Sequence, residues 1–131
     1  PLLQSVYCNN NQLTSLDISN NIALQNLYCN DNQLTSLDLA SNSSLLTIIC
    51  TNNQLSTIDL SNLSNLSTLR CDDNQLTNIN ASNNSSLQIL DASANDIVSV
   101  SIHPNVPEVR LQNNSITQID LSNNIGLRIL V

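Results

Sequence analysis

The chain repeats itself every 21 residues, and this period constrains its fold more than any other feature. Similar blocks open with a leucine at Leu3, Leu24, Leu45, Leu66 and Leu87. The second block reads LQNLYCNDNQLTSLDLASNSS. A sixth block starts two residues early, at Val106, and a truncated seventh starts at Leu127. We therefore predict one repeat domain over residues 1–131, with about six blocks and a partial seventh.

Each block contains one segment with the alternation of a β-strand. In the second block, Leu27 and Cys29 alternate with Asn26, Tyr28 and Asn30. One such strand cannot bury its apolar face alone, so stacked copies must form a parallel sheet over a continuous core. The TSLDLS segment also alternates and predicts a return path that is extended or 3₁₀-like. The pattern predicts a flattened solenoid, mostly strand and turn, with little or no α-helix.

Composition fits a periodic fold and argues against several classes of function. The chain has 24 Asn, 23 Leu and 1 Gly but no Phe or Trp, so its core must be largely aliphatic. Ten acidic residues against three arginines give a net charge of −7. Nucleic acid is then an unsuitable partner, because phosphate contacts need clustered cations, and an anionic membrane surface is unsuitable for the same reason. No apolar run approaches the ~20 residues of a membrane span, so we expect no membrane insertion.

Cysteine recurs once per block in an inward column. Its members are Cys8, Cys29, Cys50 and Cys71, and the column continues as Ala92 and Leu111. These apolar replacements predict buried core thiols. Parallel strands in register hold neighbouring Cβ atoms ~4.8 Å apart, farther than a disulfide prefers, and a linear column cannot surround a zinc ion. A disulfide or a metal site is the less favoured alternative.

Asparagine and aspartate form two further columns. The asparagine column is unbroken and contains Asn11, Asn32, Asn53, Asn74, Asn95 and Asn114. Its side-chain amides are predicted to bond the backbone of the turn that follows each strand. The aspartate column contains Asp17, Asp38, Asp59, Asn80, Ser101 and Asp120. Asp, Asn and Ser all accept hydrogen bonds from local turn amides, so we predict that role, with weak Ca²⁺ binding as the alternative.

The outward strand positions change character along the chain and form the candidate binding surface. The central column is Tyr7, Tyr28, Ile49, Arg70, Asp91, Arg110 and Val131, and the next is Asn9, Asn30, Thr51, Asp72, Ser93 and Gln112. Tyrosine and arginine are enriched at binding hot spots. The predicted partner-binding residues are Tyr7, Tyr28, Asn30, Ile49, Thr51, Arg70, Asp72, Asp91, Arg110 and Gln112. The structural alternatives are a tyrosine stack and pairing of Asp91 with both arginines.

The recurrent LxxLxCxxNxLTxLDLSxN pattern resembles the leucine-rich-repeat family, in its short bacterial form of the Bacteroidetes type. The resemblance covers essentially the whole chain and implies an α/β-horseshoe solenoid with a parallel sheet on its concave face. It also implies an extracellular or cell-surface protein that binds or adheres through that face. We expect a non-catalytic protein-binding module without cofactor or metal. Glycan binding through Tyr7, Tyr28, Asn30 and Asp31 is the alternative.

Two other functions have less support from the sequence. His103 is the only histidine and lies in the shortened block without a GxSxG or HExxH pattern, so we expect a turn residue and no enzyme. An ice- or crystal-binding surface would need a regular hydroxyl row. The candidate row is Thr14, Thr35, Ser56, Thr77, Val98 and Thr117. Val98 interrupts this row, and we expect the two-residue deletion to break its register.

The ends of the chain carry no polar cap. A terminal rung of a solenoid exposes core side chains and unpaired backbone groups. We therefore expect Leu127 and Leu130 to face solvent along the open edge of this chain, and we expect the chain to be a fragment of a larger protein that continues beyond Val131. Self-association through an uncapped end follows from the same reasoning.

Overall fold

The computed structural model describes residues 2–131, which form a solenoid of stacked repeats with no α-helix in that range. The strands are β1 (Ser5–Tyr7), β2 (Asn26–Tyr28), β3 (Thr47–Ile49), β4 (Thr68–Arg70), β5 (Asn78–Ala81), β6 (Ile89–Asp91), β7 (Ser99–Ile102), β8 (Glu108–Arg110) and β9 (Ile129–Leu130). Seven of them pair in parallel in the order β1-β2-β3-β4-β6-β8-β9. The predicted parallel solenoid of strand and turn is confirmed.

The return path is extended in two repeats only. Strands β5 and β7 belong to this path and pair in parallel as a separate two-stranded sheet, with Asn78 opposite Ser99. Elsewhere in residues 2–131 the path is neither a strand nor a 3₁₀ turn. Aspartate side chains order it instead: the Ser19 N–H and hydroxyl both donate to Asp17 Oδ1, at 3.0 and 2.7 Å. The N–H of the residue two positions later likewise donates to the side-chain Oδ1 of Asp38, Asp59, Asn80 and Asp120.

The two-residue deletion removes one turn and leaves the sheet in register. An ordinary repeat has two successive turns, in which Asn21 N–H donates to Ile18 O and Leu24 N–H donates to Asn21 O. The shortened repeat keeps one, from Val106 N–H to His103 O at 3.2 Å. The expected break in the hydroxyl row was wrong. Ser115 N–H still donates to Ile97 O, as Asp96 N–H does to Leu76 O one repeat earlier, because the whole deletion is absorbed at the shortened turn.

The single glycine lies against this shortened turn. A Cβ atom on Gly126 would lie 2.9 Å from both Cα and O of Asn105. Gly126 N–H donates to Pro104 O at 3.1 Å, which holds the two backbones together. Residue 126 is therefore glycine because the shortened repeat leaves no room for a side chain.

The core consists of aliphatic ladders, one side chain per repeat. In the central inward column the side chains of Leu27, Ile48, Leu69, Leu90 and Val109 are all 0% exposed. Each such side chain contributes ~1.5–3 kcal/mol through removal from water. The ladders open at the last strand, where Ile129 and Leu130 are each 45% exposed. Leu130 is thus exposed as expected, whereas Leu127 is partly buried because it packs against the core.

The asparagine column joins successive repeats, as predicted. Asn53 Nδ2 donates to the carbonyls of Cys29, Cys50 and Thr51, at 3.1, 3.0 and 3.3 Å. Its Oδ1 accepts the N–H of Leu34, in the preceding repeat, at 2.9 Å. Each amide therefore satisfies backbone groups of its own turn and of the turn before it.

A second asparagine column lies at the turns on the opposite side, and its bonds are fewer. Asn84 is 1% exposed, and its Nδ2 donates to the carbonyls of Leu60 and Leu63. Both carbonyls already accept a backbone N–H, and Asn84 Oδ1 has no partner. Leu63 occupies the equivalent position one repeat earlier and is fully buried. The chain itself thus shows that this column accepts leucine.

Each strand of the main sheet except the last is followed by a residue in the left-handed backbone conformation. These residues are Asn10, Asp31, Asn52, Asp73, Ala94 and Asn113, with φ between 50° and 57°. Asn and Asp adopt this conformation at little cost. Ala94, at φ 50°, is the exception. Its methyl group cannot make the local polar contacts that stabilise Asn and Asp there, so the backbone is strained at this one repeat.

We expect Asn53→Leu to be much more destabilising than Asn84→Leu. The first change leaves the Leu34 N–H without an acceptor and costs about 3 kcal/mol of unfolding free energy. The second strips no backbone group of its only partner and costs about 1 kcal/mol or less. Urea unfolding midpoints of the two variants measure the difference. Equal midpoints would contradict the role assigned to the asparagine ladder.

We expect Ala94→Asn and Ala94→Gly to raise the unfolding free energy by about 1 kcal/mol, because both residues relieve the left-handed strain. Ala40→Gly is the matched control, since Ala40 is exposed and has no positive φ. The control should leave stability unchanged or lower it. A stabilisation of the same size in both glycine variants would show that strain at Ala94 is not the cause.

Candidate binding face

The outward side chains of the main sheet form three parallel columns, which we call the sheet face. Two of them are the predicted central and second columns. The third lies two residues before the central column and contains Ser5, Asn26, Thr47, Thr68, Ile89, Glu108 and Ile129. This column was not among the predicted binding residues, although the same alternation that identified the other two also predicts it.

The predicted binding residues differ in exposure. Tyr7, Arg70 and Gln112 are exposed, Tyr28, Asn30, Ile49, Thr51, Asp72 and Arg110 are partly buried, and Asp91 is buried. The rungs of the central column are in register, so Tyr7, Tyr28, Ile49 and Arg70 follow one another across four adjacent strands. The structure thus brings the apolar members together and places Arg70 directly beside them.

The two tyrosines stack. Their ring centroids are 4.7 Å apart and their planes differ by 12°. Tyr7 is 69% exposed, while Tyr28 lies between Tyr7 and its register partner Ile49. Stacking covers the facing sides of the two rings, while most of Tyr7 stays exposed at the edge of the sheet. This half of the face is therefore an apolar platform with polar tips.

Asp91 does not have the exposed position expected for it. It is 8% exposed, and its Oδ1 accepts both the N–H and the hydroxyl of Ser93, at 3.2 and 2.6 Å. Its Oδ2 faces Arg110 Nη1 at 3.4 Å, and the other nitrogen, Nη2, binds Glu108 Oε1 at 2.7 Å. Of the two arginines expected to pair with Asp91, only Arg110 does so. Arg70 is exposed and forms no ion pair or hydrogen bond through its side chain with residues 2–131.

The second column carries a row of internally bonded polar groups. Asn30 and Asn52 donate to the two oxygens of Asp31 at 2.6 and 2.9 Å, and these bonds lower the pKa of Asp31. The Thr51 hydroxyl donates to Asp72 Oδ1 at 2.7 Å. Burial nevertheless raises the pKa of Asp72, and the negative charge of nearby Asp91 adds to the increase. Asp72 in this column and Asp31 beside it therefore already have hydrogen-bond donors.

The cysteine column is part of the core. All four cysteines are free thiols, and Cys29, Cys50 and Cys71 are fully buried. Burial raises the pKa of Cys29 to about 12 and also raises the pKa values of Cys50 and Cys71. Residues 2–131 contain no cluster of three or more His, Cys, Asp or Glu side chains that could hold a metal ion. Three thiols of the column are thus shielded from solvent in the folded protein, while Cys8 at the first repeat is only partly buried.

His103 is a turn residue. Its carbonyl accepts the Val106 N–H at 3.2 Å and Asn124 Nδ2 at 3.3 Å. Its Nδ1 accepts the Asn105 N–H at 3.3 Å. The backbone and ring of the residue are therefore engaged in the shortened turn.

The hydroxyl row on the return path is solvent-exposed along its length. Thr14, Thr35, Ser56, Thr77 and Thr117 are all exposed, and Val98, which interrupts them, is 58% exposed. The surface is thus accessible to solvent, but the aliphatic side chain of Val98 interrupts its row of hydroxyl groups.

Within the described part of the chain there is no helix with the length and hydrophobicity needed to cross a bilayer.

Comparison with solved structures identifies the architecture. The functional domain of InlJ from Listeria monocytogenes, described as including a cysteine ladder, is 29% identical with a TM-score of 0.76, over 96% of this chain and 33% of that chain. The chain thus has the fold of a leucine-rich-repeat solenoid. The internalin InlF from L. monocytogenes strain 4b F2365 has the same fold, with 23% identity and a TM-score of 0.72 over 98% of this chain and 47% of that one. The chain thus spans about a third of the InlJ structure and about half of the InlF structure. A scan against family models and a search of curated proteins gave no match.

We expect the buried thiols to make this solenoid unstable at alkaline pH. The thiol of Cys29 ionises at pH about 9 when unfolded but only at about 12 when folded, so between these values the unfolded state loses its proton first and stability falls as pH rises. Each such thiol contributes a slope of up to ~1.4 kcal/mol per pH unit. Cys29→Ala should reduce this slope, and Ala92 shows that the column accepts alanine. Unfolding free energies measured from pH 8 to 11 test this, and identical slopes for the two proteins would contradict it.

Proposed function

We propose that this solenoid is a non-catalytic recognition module that binds another protein through the sheet face. The observation that carries the proposal is the exposed Tyr7–Tyr28 stack, next to Ile49 and an arginine without a partner, on a rigid set of adjacent strands. Aromatic and arginine side chains supply much of the binding energy at protein interfaces. Rigid strands hold them at a fixed spacing, so little conformational entropy is lost on binding.

A protein fits this face better than a glycan does. Sugars stack against the flat faces of aromatic rings, but Tyr28 is covered on one side by Tyr7 and has Ile49 as its register partner on the other. Asp31, the expected partner of sugar hydroxyls, already accepts bonds from Asn30 and Asn52. Adhesion to a glycan is therefore the second proposal. Ice or crystal binding is the third, and a lack of thermal hysteresis at millimolar protein would remove it.

An extracellular or cell-surface location and adhesion belong to the same proposal. Their support is the resemblance of the repeat to secreted and surface bacterial proteins and the likeness to the internalin InlF and the InlJ domain. The exposed apolar side chains of Ile129, Leu130 and Val131 support self-association of this chain through its last strand. Sedimentation velocity of the wild-type protein used for the peptide selection detects such association.

Selection from a random peptide library displayed on phage tests the proposed function. We expect peptides that bind the wild-type solenoid and lose binding to the Tyr7→Thr/Tyr28→Thr double variant by at least about tenfold. Threonine is a suitable replacement because Thr47 and Thr68 already lie on this face. Thr35→Ala/Ser56→Ala, on the exposed return path, is the matched control and should bind as the wild type does. Peptides that bind both double variants equally, or a glycan array with hits that depend on the tyrosines, would overturn the choice of a protein partner.

A further inference from the structure

We propose that the binding site is confined to strands β1–β4 and takes a protein segment that presents an aromatic or aliphatic side chain next to a carboxylate. The carboxylate binds Arg70, and the apolar side chain packs on the platform of Tyr7, Tyr28 and Ile49. The inference deepens the proposed function and depends on it, because it specifies the chemistry of the partner that the sheet face recognises.

Arg70 is the arginine of the sheet face that has no partner among residues 2–131, and Arg128, which lies outside this face, has none either. The protein has ten acidic residues and only three arginines, so a cation has many carboxylates available to it. Arg110 has two carboxylates, yet Arg70 has none among residues 2–131. The nearest acidic rung of its own column is Asp91, whose two oxygens are already engaged by Ser93 and Arg110. The nearest acid of the second column, Asp72, accepts from Thr51. The guanidinium is thus held free on the face by the internal bonds of its neighbours.

The two halves of the sheet face differ in the same way. On β6 and β8, Asp91, Glu108, Arg110 and the Ser93 that follows β6 satisfy one another. A partner gains little there, since each new bond would replace an existing one. On β1–β4 the outer columns carry Ser, Asn and Thr together with one acid, Asp72, which accepts from the Thr51 hydroxyl. The central column carries the apolar platform and Arg70, which has no partner among residues 2–131. Strands β1–β4 therefore hold the part of the face that has unused capacity for binding.

The spacing of the rungs sets the geometry of the partner. Tyr28 and Arg70 are two strands apart, with Ile49 between them. At ~4.8 Å per strand, a carboxylate on Arg70 lies about 5 Å along the column from an apolar group on Ile49 and about 10 Å from one on Tyr28. Planar guanidinium groups bind carboxylates in a bidentate manner, so the contact is directional as well as electrostatic. A protein segment can present both groups at once, whereas a free carboxylate uses only Arg70.

The peptide selection described above also tests this inference when it is analysed with arginine variants at physiological ionic strength. The Debye length is then about 8 Å, so the overall charge of −7 is largely screened while direct contact with Arg70 is not. We expect the selected peptides to be enriched in Asp or Glu together with aromatic or large aliphatic residues. Their affinity should fall at least about tenfold for Arg70→Gln, a loss typical of one charge-assisted contact. Arg70→Glu should select basic peptides instead.

Two further variants control for charge and position. Arg128→Gln removes the same charge from an exposed residue that precedes β9 and lies outside the three columns of the sheet face, and it should leave peptide affinity within about twofold. Arg110→Gln removes a cation from the self-satisfied half and should also leave affinity within about twofold. Free acetate and succinate, as carboxylates without an apolar group, should not compete at millimolar concentration.

The outcomes separate the two proposals. Peptides that lose binding to the tyrosine double variant but bind Arg70→Gln as well as the wild type would overturn the carboxylate contact and leave the proposed function intact. Equal losses for Arg70→Gln and Arg128→Gln would show a general charge effect and overturn the inference as well. A loss for Arg110→Gln as large as that for Arg70→Gln would place the site outside β1–β4. No peptide that depends on the tyrosines would overturn the proposed function itself.

Discussion

The asparagine ladder is the interaction on which the rest of the structure depends. A chain that turns sharply after every strand leaves N–H and C=O groups without partners inside the molecule, and burial without partners costs ~1–3 kcal/mol for each group. One amide per repeat supplies both a donor and an acceptor, and its bonds reach into the preceding repeat, as at Asn53 and Leu34. The ladder therefore fixes the turn and the register together. Once both are fixed, the outward positions no longer affect the fold and are free to vary.

Most of the fold could be predicted from the sequence because a period of 21 residues assigns every residue to a column. The column alone determines whether a side chain faces the core, a turn or solvent, which accounts for the buried cysteines, the amide ladder and the aspartate bonds at Asp17 and Asp59. A period says nothing about exceptions to itself. The extended return of β5 and β7, the loss of one turn at His103 and the close approach of Gly126 to Asn105 all arise where the repeat is irregular.

The candidate site was less predictable than the fold, for a physical reason. Exposed side chains choose partners by reach and charge, and several choices were open to Asp91. It accepts a hydrogen bond from the Ser93 hydroxyl, forms an ion pair with Arg110 and is buried, and it forms no ion pair with Arg70. Sequence placed all three residues in neighbouring positions, but it could not rank a local hydroxyl against a second arginine. The column that begins at Ser5 was not predicted for a different reason. Its residues fit the same alternation, but they lie at the start of each strand, two positions before the central column.

In-register stacking has opposite consequences for different residue types, and this is what makes the sheet face selective. At ~4.8 Å, tyrosines gain from stacking, and thiols remain separate. Carboxylates at that spacing repel one another, and no two acids of the sheet face are adjacent in one column. Asp72 and Asp91 are each hydrogen-bonded to a neighbouring hydroxyl group. The acids of the sheet face thus engage nearby hydroxyl and guanidinium groups as hydrogen-bond donors. Among residues 2–131, Arg70 is the charged side chain of the sheet face that forms no ion pair or side-chain hydrogen bond. Its position beside the apolar platform limits the partners that can bind it.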